Sequence, residues 1–241
     1  MSVYVEIGAT KQIKTALEYA AALDFPMCIT SKPGMGKSTT LRNECEKHGF
    51  AYVEADQTMN RIQGFYKGIL AAYDRYTEKS QATELNTILK AVIENKRHWD
   101  RNPLLVVDEF QTLSVTLQRQ LLYIQETNKL PMLLSGNPER IASTKQDQHA
   151  LEQVRSRIGC PIEIFPPTEK DCEAIGIAYK LEGIETYNAL KTFGAGKSVR
   201  EICRLLKQAR ALHPEGTLQL RHLELAARLV YGTNFKFKAK K

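Results

Sequence analysis

The chain has 241 residues, 43% hydrophobic and 25% charged, an ordinary globular mix that is long enough to bury a sizeable core without disulfides or metals. No apolar run approaches bilayer length, and Met1 to Ala9 lacks a signal-peptide pattern, so a soluble, cytoplasmic protein is expected. A formal charge of +7 and a pI near 9.1 favour a polyanionic partner only slightly.

The five cysteines are odd in number and scattered, with no Cys-x-x-Cys spacing, so neither a disulfide framework nor a zinc site is indicated and reduced, mostly buried thiols are expected. In chain order, residues 10–23 carry Ile13, Ala16, Leu17, Ala20 and Ala21 on one helical face, with Thr10 as N-cap. Pro26 separates this helix from a short strand at 27–30, which runs into a glycine-rich loop and a helix at 38–48 closed by Gly49. A second strand is expected at 51–55. Helices follow at 62–76, with Phe65, Ile69 and Tyr73 at helical spacing, and at 84–99, with Tyr73 and Trp99 read as core. Strands at 104–108, 131–135 and 161–165, with a helix at 116–127, complete an alternating pattern. After Pro166-Pro167 the β pattern stops and three helices are expected, at 169–181, 199–212 and 218–231. Apolar strands separated by helices imply an α/β fold, a parallel sheet sandwiched by helices and followed by a small all-helical lid. The expected division is an α/β domain at 1–166, a helical lid at 167–234 and a basic tail at 235–241.

Ser31-Lys32-Pro33-Gly34-Met35-Gly36-Lys37-Ser38-Thr39 lies between a strand and a helix, the context of a phosphate-binding Walker A loop. A phosphate chain is held by backbone N–H groups at the positive end of a helix, and glycines allow the close approach. Lys37 would reach the β and γ phosphates of ATP, and the Ser38 hydroxyl would ligate Mg2+. Ser31 departs from the usual pattern, which has glycine there. Leu104-Leu-Val-Val-Asp108-Glu109 has the form of a Walker B strand, placing Asp108 for the magnesium ion and Glu109 for the attacking water. Two adjacent acids indicate hydrolysis. Asn137, just past the strand Met132-Leu-Leu-Ser, stands where a side chain can sense the γ phosphate, although Gly-Asn alone is a common turn. Arg155 and Arg157 end one helix and Arg200 opens another; each could stabilise phosphoryl charge or form a surface ion pair.

Together these segments resemble the AAA+ ATPases over nearly the whole chain, in the order Walker A, Walker B, sensor one at Asn137, arginine finger at Arg155 or Arg157, and sensor two at Arg200. Within that family, Ser-Lys-Pro-Gly-Met-Gly-Lys-Ser, Leu-Leu-Val-Val-Asp-Glu, Leu-Leu-Ser-Gly-Asn and Val-Arg-Ser-Arg-Ile look most like the MuB/TnsC-like transposition regulators. The resemblance implies an ATP-dependent protein that forms a ring or helical filament on double-stranded DNA with little sequence preference and delivers target DNA to a transposase. It also implies a bacterial cell, with the chain encoded by a phage or mobile element. MuB carries an N-terminal helix-turn-helix region, whereas here the ATPase domain begins almost at once, so DNA binding is expected from the ATPase body. Candidates there are Lys79 and Lys90, between the second strand and Walker B. The basic tail Phe235-Lys-Phe-Lys-Ala-Lys-Lys241 either touches DNA or a partner or is a solvated end.

Two other readings stay open. The Ser-Arg-Ile-Gly stretch also looks like replication-initiator or helicase-loader ATPases. A small-molecule P-loop kinase would share the loop but have no required role for Glu109, Asn137 or the late arginines.

Overall fold

The computed structural model describes residues 4–23, 25–99, 102–136, 148–159 and 161–237. Its contacts define two compact units, one of residues 13–31 and 37–163, the other of residues 1–12, 32–36 and 164–241.

The first unit is built on five strands, β1 Met27–Thr30, β2 Ala51–Glu54, β3 Leu105–Asp108, β4 Met132–Gly136 and β5 Ile162–Glu163. Every pairing is parallel, in the order β2-β3-β4-β1-β5. β1, β3 and β4 are buried along their whole length, which is why they read as unbroken apolar runs. From β1 the chain crosses to the edge strand β2, returns through β3 and β4, and passes β1 to reach β5. The winding therefore reverses at β1, and in parallel sheets ligands gather beyond the carboxyl ends of the strands at such a reversal.

Alternate strand residues select the face. Cys28, Val53, Leu105, Val107, Met132 and Leu134 join one core cluster with Phe65 and Ile69 of α3 (Ile62–Ala72), Leu89 of α4 (Ala82–His98) and Leu121 of α5 (Val115–Asn128). These helices form because their apolar residues recur every three or four positions, giving each one buried stripe. Truncating a fully buried leucine here, such as Leu89, would cost about 2–5 kcal/mol. α2 (Lys37–His48) packs on β2 and β3, and its buried Leu41 and Cys45 lie outside that cluster, on the opposite face. α1 (Gly8–Ala22) and α6 (Gln148–Arg157) complete the helices described up to β5.

Two expectations fail in this part of the chain. Trp99 is 73% exposed rather than core, whereas Tyr73 is buried with its hydroxyl donating to Pro103 O at 2.6 Å. The helix ends one residue before Trp99, whose ring meets His98 edge-on instead of entering the core. Thr10 is not an N-cap: α1 begins at Gly8 and Thr10 is buried inside it. The capping group is instead Asp171, distant in sequence, whose Oδ1 accepts from Gly8 N at 2.7 Å.

The second unit contains four described helices, α7 Glu169–Ala178, α8 Ile184–Gly194, α9 Val199–Leu212 and α10 Leu220–Tyr231. Three were expected, and α8 is the addition. It follows Gly183 without a side-chain cap and is rich in Thr, Tyr and Asn, weak helix formers, so local signals are poor. Its helical face appears through burial of Thr186, Ala189, Leu190 and Phe193. α9 shows the opposite case, with a Ser198–Glu201 capping box and a buried row of Ile202, Leu205, Leu206 and Ala209. Beyond α10, Phe235 and Phe237 pack against Phe193, and Phe235 also against Tyr231, so the aromatics of the tail are anchors; residues 238–241 lie outside the described set. Cys28, Cys45, Cys172 and Cys203 are free thiols, the first three buried, and Cys160 lies outside the described residues. Among the described residues no helix is long and apolar enough to cross a membrane.

Candidate active site

The loop after β1 turns on glycines that no other residue replaces cheaply. Gly34 and Gly36 have φ of 83° and 87°, in the left-handed region that a Cβ disfavours. A Cβ on Gly36 would meet nothing within 4 Å, while one on Gly34 would lie 3.0 Å from Ser198 Oγ and 3.0 Å from Arg200 Cβ. Gly34 O also accepts from Arg200 N at 2.9 Å. The first turn of α9 thus rests on the loop backbone, and Arg200 meets the loop through its main chain while its side chain is exposed. Met35 is buried and pins the loop, whereas Lys32, Pro33 and Thr39 are exposed.

Lys37 opens α2, whose first turn holds no acidic residue of its own. The Lys37 ammonium donates to Ser31 Oγ at 2.6 Å and lies 3.5 Å from Ser31 O. Ser31 is 1% exposed at the end of β1. Ser38 and Gly36 are half-buried beside it in the chain.

Asp108 ends β3 and is 0% exposed. Its Oδ1 accepts from Glu109 N at 3.0 Å and its Oδ2 from the Tyr52 hydroxyl at 3.2 Å. Tyr52 stands on β2 in register with Val106, and Glu54 with Asp108, so Tyr52 and Asp108 share one face of the sheet. Burial, then the Asp108 carboxylate, push the Tyr52 hydroxyl well above its usual range, an effect the Arg42 guanidinium partly offsets. Arg42 lies over the Tyr52 ring and pairs with Glu54 at 2.7 Å.

Glu109 follows with φ 53° and ψ 33°, left-handed geometry at a residue with a side chain, which costs on the order of 1–3 kcal/mol. Its Oε2 accepts from Gln111 Nε2 at 2.5 Å. On β4, between β1 and β3, Ser135 is fully buried and its hydroxyl has no hydrogen-bond partner among the described residues.

These groups fit a phosphate chain and a hard cation. Within the unit that holds the sheet, the start of α2 and the Lys37 ammonium suit phosphate oxygens, while the Ser38 hydroxyl and Asp108 carboxylate are the oxygen donors Mg2+ prefers.

Of the other candidates, Asn137 lies outside the described residues. Arg155 and Arg157 are exposed at the end of α6, where Arg157 Nε meets Glu126 Oε1 at 3.4 Å. Lys79 forms an exposed pair with Glu84 at 3.0 Å, and Lys90 is half-buried on α4. Tyr52, Gln111 and Ser198 escaped the sequence reading. Parallel register could have flagged Tyr52, and the capping box could have flagged Ser198; nothing local marks Gln111.

Residues 26–143 match the family model of the AAA domain. No curated protein matches the sequence closely enough to count as a relative. Among solved structures, the chain is similar to the Aeropyrum pernix ORC2 protein in its ADPNP-ADP complexes, with TM-score 0.66 and 18% identity over 90% of this chain and 66% of that one. It is similar also to the Aeropyrum pernix ORC1 protein in complex with DNA, with TM-score 0.64 and 14% identity over 94% of this chain and 66% of that one. Domain III of the Thermotoga maritima replication initiation protein DnaA gives TM-score 0.59 and 14% identity, covering 94% of this chain and 93% of that one. The chain therefore spans just under two thirds of the two ORC proteins. The fold is the P-loop AAA+ fold, a parallel five-stranded sheet with helices and a C-terminal helical region.

Proposed function

We propose that the chain is an ATP-dependent, DNA-binding AAA+ ATPase of the replication-initiator or helicase-loader kind, whose nucleotide state controls assembly with further copies of itself on duplex DNA. The observation that carries the ATPase reading is the pair at the end of β3, a fully buried Asp108 followed by Glu109 in a strained backbone with its carboxylate held by Gln111. Strain at a residue with a side chain is tolerated where that side chain is needed in a fixed place. The initiator kind is supported by the likeness to ORC and DnaA structures, one of them a DNA complex.

In this reading Ser31 to Thr39 would cradle the phosphates, Lys37 would neutralise the β and γ groups, and Ser38 and Asp108 would hold magnesium. The metal supplies charge neutralisation when bound. Glu109 orients and deprotonates the attacking water, and Asn137 and Arg200 sense the γ phosphate. Arg155 or Arg157 serves the nucleotide of a neighbouring copy. Residues 1–166 form the ATPase domain, 167–234 the lid and 235–241 a basic tail. Lys79 and Lys90 contact the DNA backbone, so affinity falls steeply with added salt.

A second reading, target selection for a transposase, is favoured by the loop with serine in place of its first glycine and by Val154-Arg-Ser-Arg-Ile158. Phosphate release from labelled ATP, with and without duplex DNA, tests the shared core, and electron microscopy with an ATP analogue tests assembly. DNA-stimulated release and analogue-dependent oligomers are expected. Transfer of phosphate to a small acceptor, or nucleotide-independent binding by a monomer, would overturn it. Stimulation by a replicative helicase or by a transposase then separates the two readings.

A further inference from the structure

We propose that the Ser31 hydroxyl is a positioning group for Lys37, holding its ammonium ready for phosphate; the inference rests on the nucleotide-binding reading above. Serine replaces the glycine usual at the start of such a loop, a departure that counts against the motif in the sequence alone. In the structure that hydroxyl is buried at the end of β1 and receives the Lys37 ammonium at 2.6 Å. The contact is short and charge-assisted, a class roughly twice as strong as a neutral hydrogen bond. Glycine has no atom to offer there.

An ammonium has three donors. A contact to Ser31 Oγ is therefore compatible with contacts from the same ammonium to phosphate oxygens. A lysine free to rotate loses several rotamers on gripping a phosphate, whereas one already held loses fewer. Ser31 thus raises affinity through Lys37.

The test compares the full chain with Ser31→Ala and Ser31→Gly. Calorimetric titration with ADP and with a slowly hydrolysed ATP analogue should show both variants weaker by about tenfold. Acylation of Lys37 by an amine-reactive ester, followed by peptide mass spectrometry without nucleotide, should be several-fold faster in both variants. A merely structural role for Ser31 would leave that labelling rate unchanged. Melting temperatures check that each variant is folded, and the alanine, nearly isosteric with serine, is the safer of the two. Equal or tighter nucleotide binding by Ser31→Gly, or unchanged Lys37 labelling, would overturn the proposal while leaving the nucleotide site intact. Failure of the unaltered chain to bind either nucleotide would instead sink the nucleotide reading, and this inference with it.

Discussion

At Gly34 and Gly36 the backbone turns through φ of 83° and 87°, values glycine adopts freely; at Glu109 it turns through 53°, against the resistance of a side chain. The phosphate loop offers mainly N–H groups, so its corner residues can discard their side chains. The end of β3 must offer carboxylates, so its corner keeps one and bears the strain. Their partners differ in the same way. The loop is braced by main-chain contact from Arg200 to Gly34, and the β3 end by side chains, Tyr52 on Asp108 and Gln111 on Glu109. A helix terminus and glycines place positive potential at one region, and the buried Asp108 with the half-buried Glu109 places negative charge at the other.

The largest expected effects fall on the charged groups themselves. Lys37→Ala should abolish measurable nucleotide binding in the calorimeter. Glu109→Gln should keep ATP bound but slow phosphate release by at least about 100-fold, the usual contribution of a general base. Glu109→Gly should be equally slow yet more heat-stable, by up to about 1 kcal/mol, because it removes the left-handed strain. If that variant were instead destabilised, the contrast between a permissive loop and a strained β3 end would break.

Next comes the loop. Gly34→Ala and Gly36→Ala share the backbone penalty of about 1–2 kcal/mol. Only the Gly34 variant also drives a methyl to 3.0 Å from Ser198 Oγ and Arg200 Cβ. Denaturant unfolding should find Gly34→Ala the less stable of the two. Equal losses would mean that the contact with α9 yields easily and does not brace the loop.

The two regions were unequally legible in the sequence. Glycines and apolar strands are local signals, so β1, the loop and β3 could be read within a residue or so, and parallel strands put the carboxyl ends of β1 and β3 at the same end of the sheet. The bracing groups were not legible, because each acts across tertiary structure: Tyr52 from a neighbouring strand, Ser198 from a helix far along the chain, Asp171 capping Gly8 across most of the sequence. α8 went unread because its weak helix formers are stabilised by burial rather than by propensity or capping. Trp99 misled because aromatic residues usually end in cores, yet this one follows the last turn of α4.

A smaller effect should follow Tyr52→Phe. The phenol hydroxyl supplies one of two described hydrogen bonds to a buried carboxylate, and its loss leaves Asp108 Oδ2 short of a donor. Thermal unfolding should show a loss of about 1–2 kcal/mol. No loss would imply that water replaces the phenol, and that the β3 end is braced less by side chains than the loop is by backbone.

The smallest expected effect reads the two fields directly, through a thiol near each region. Burial pushes Cys28 up to about 12 against an opposing pull from the Lys37 ammonium. Burial pushes Cys45 up to about 12 as well, reinforced by the Glu44 and Asp108 carboxylates. Each folded value lies above the ordinary 9.0, so the folded chain holds these protons longer than the unfolded one. The stability each thiol contributes is therefore fully present below pH 9 and declines as pH rises from there towards 12, by about 1 kcal/mol per pH unit. Ultraviolet titration of variants keeping only one of these cysteines should give opposite responses to charge removal. Lys37→Ala should raise the Cys28 value further, because a favourable cation is gone, and Asp108→Asn should lower the Cys45 value, because an unfavourable anion is gone. Shifts of the same sign would mean that both thiols report burial alone, and that the opposed potentials inferred for the loop and the β3 end do not extend to the sheet beneath them.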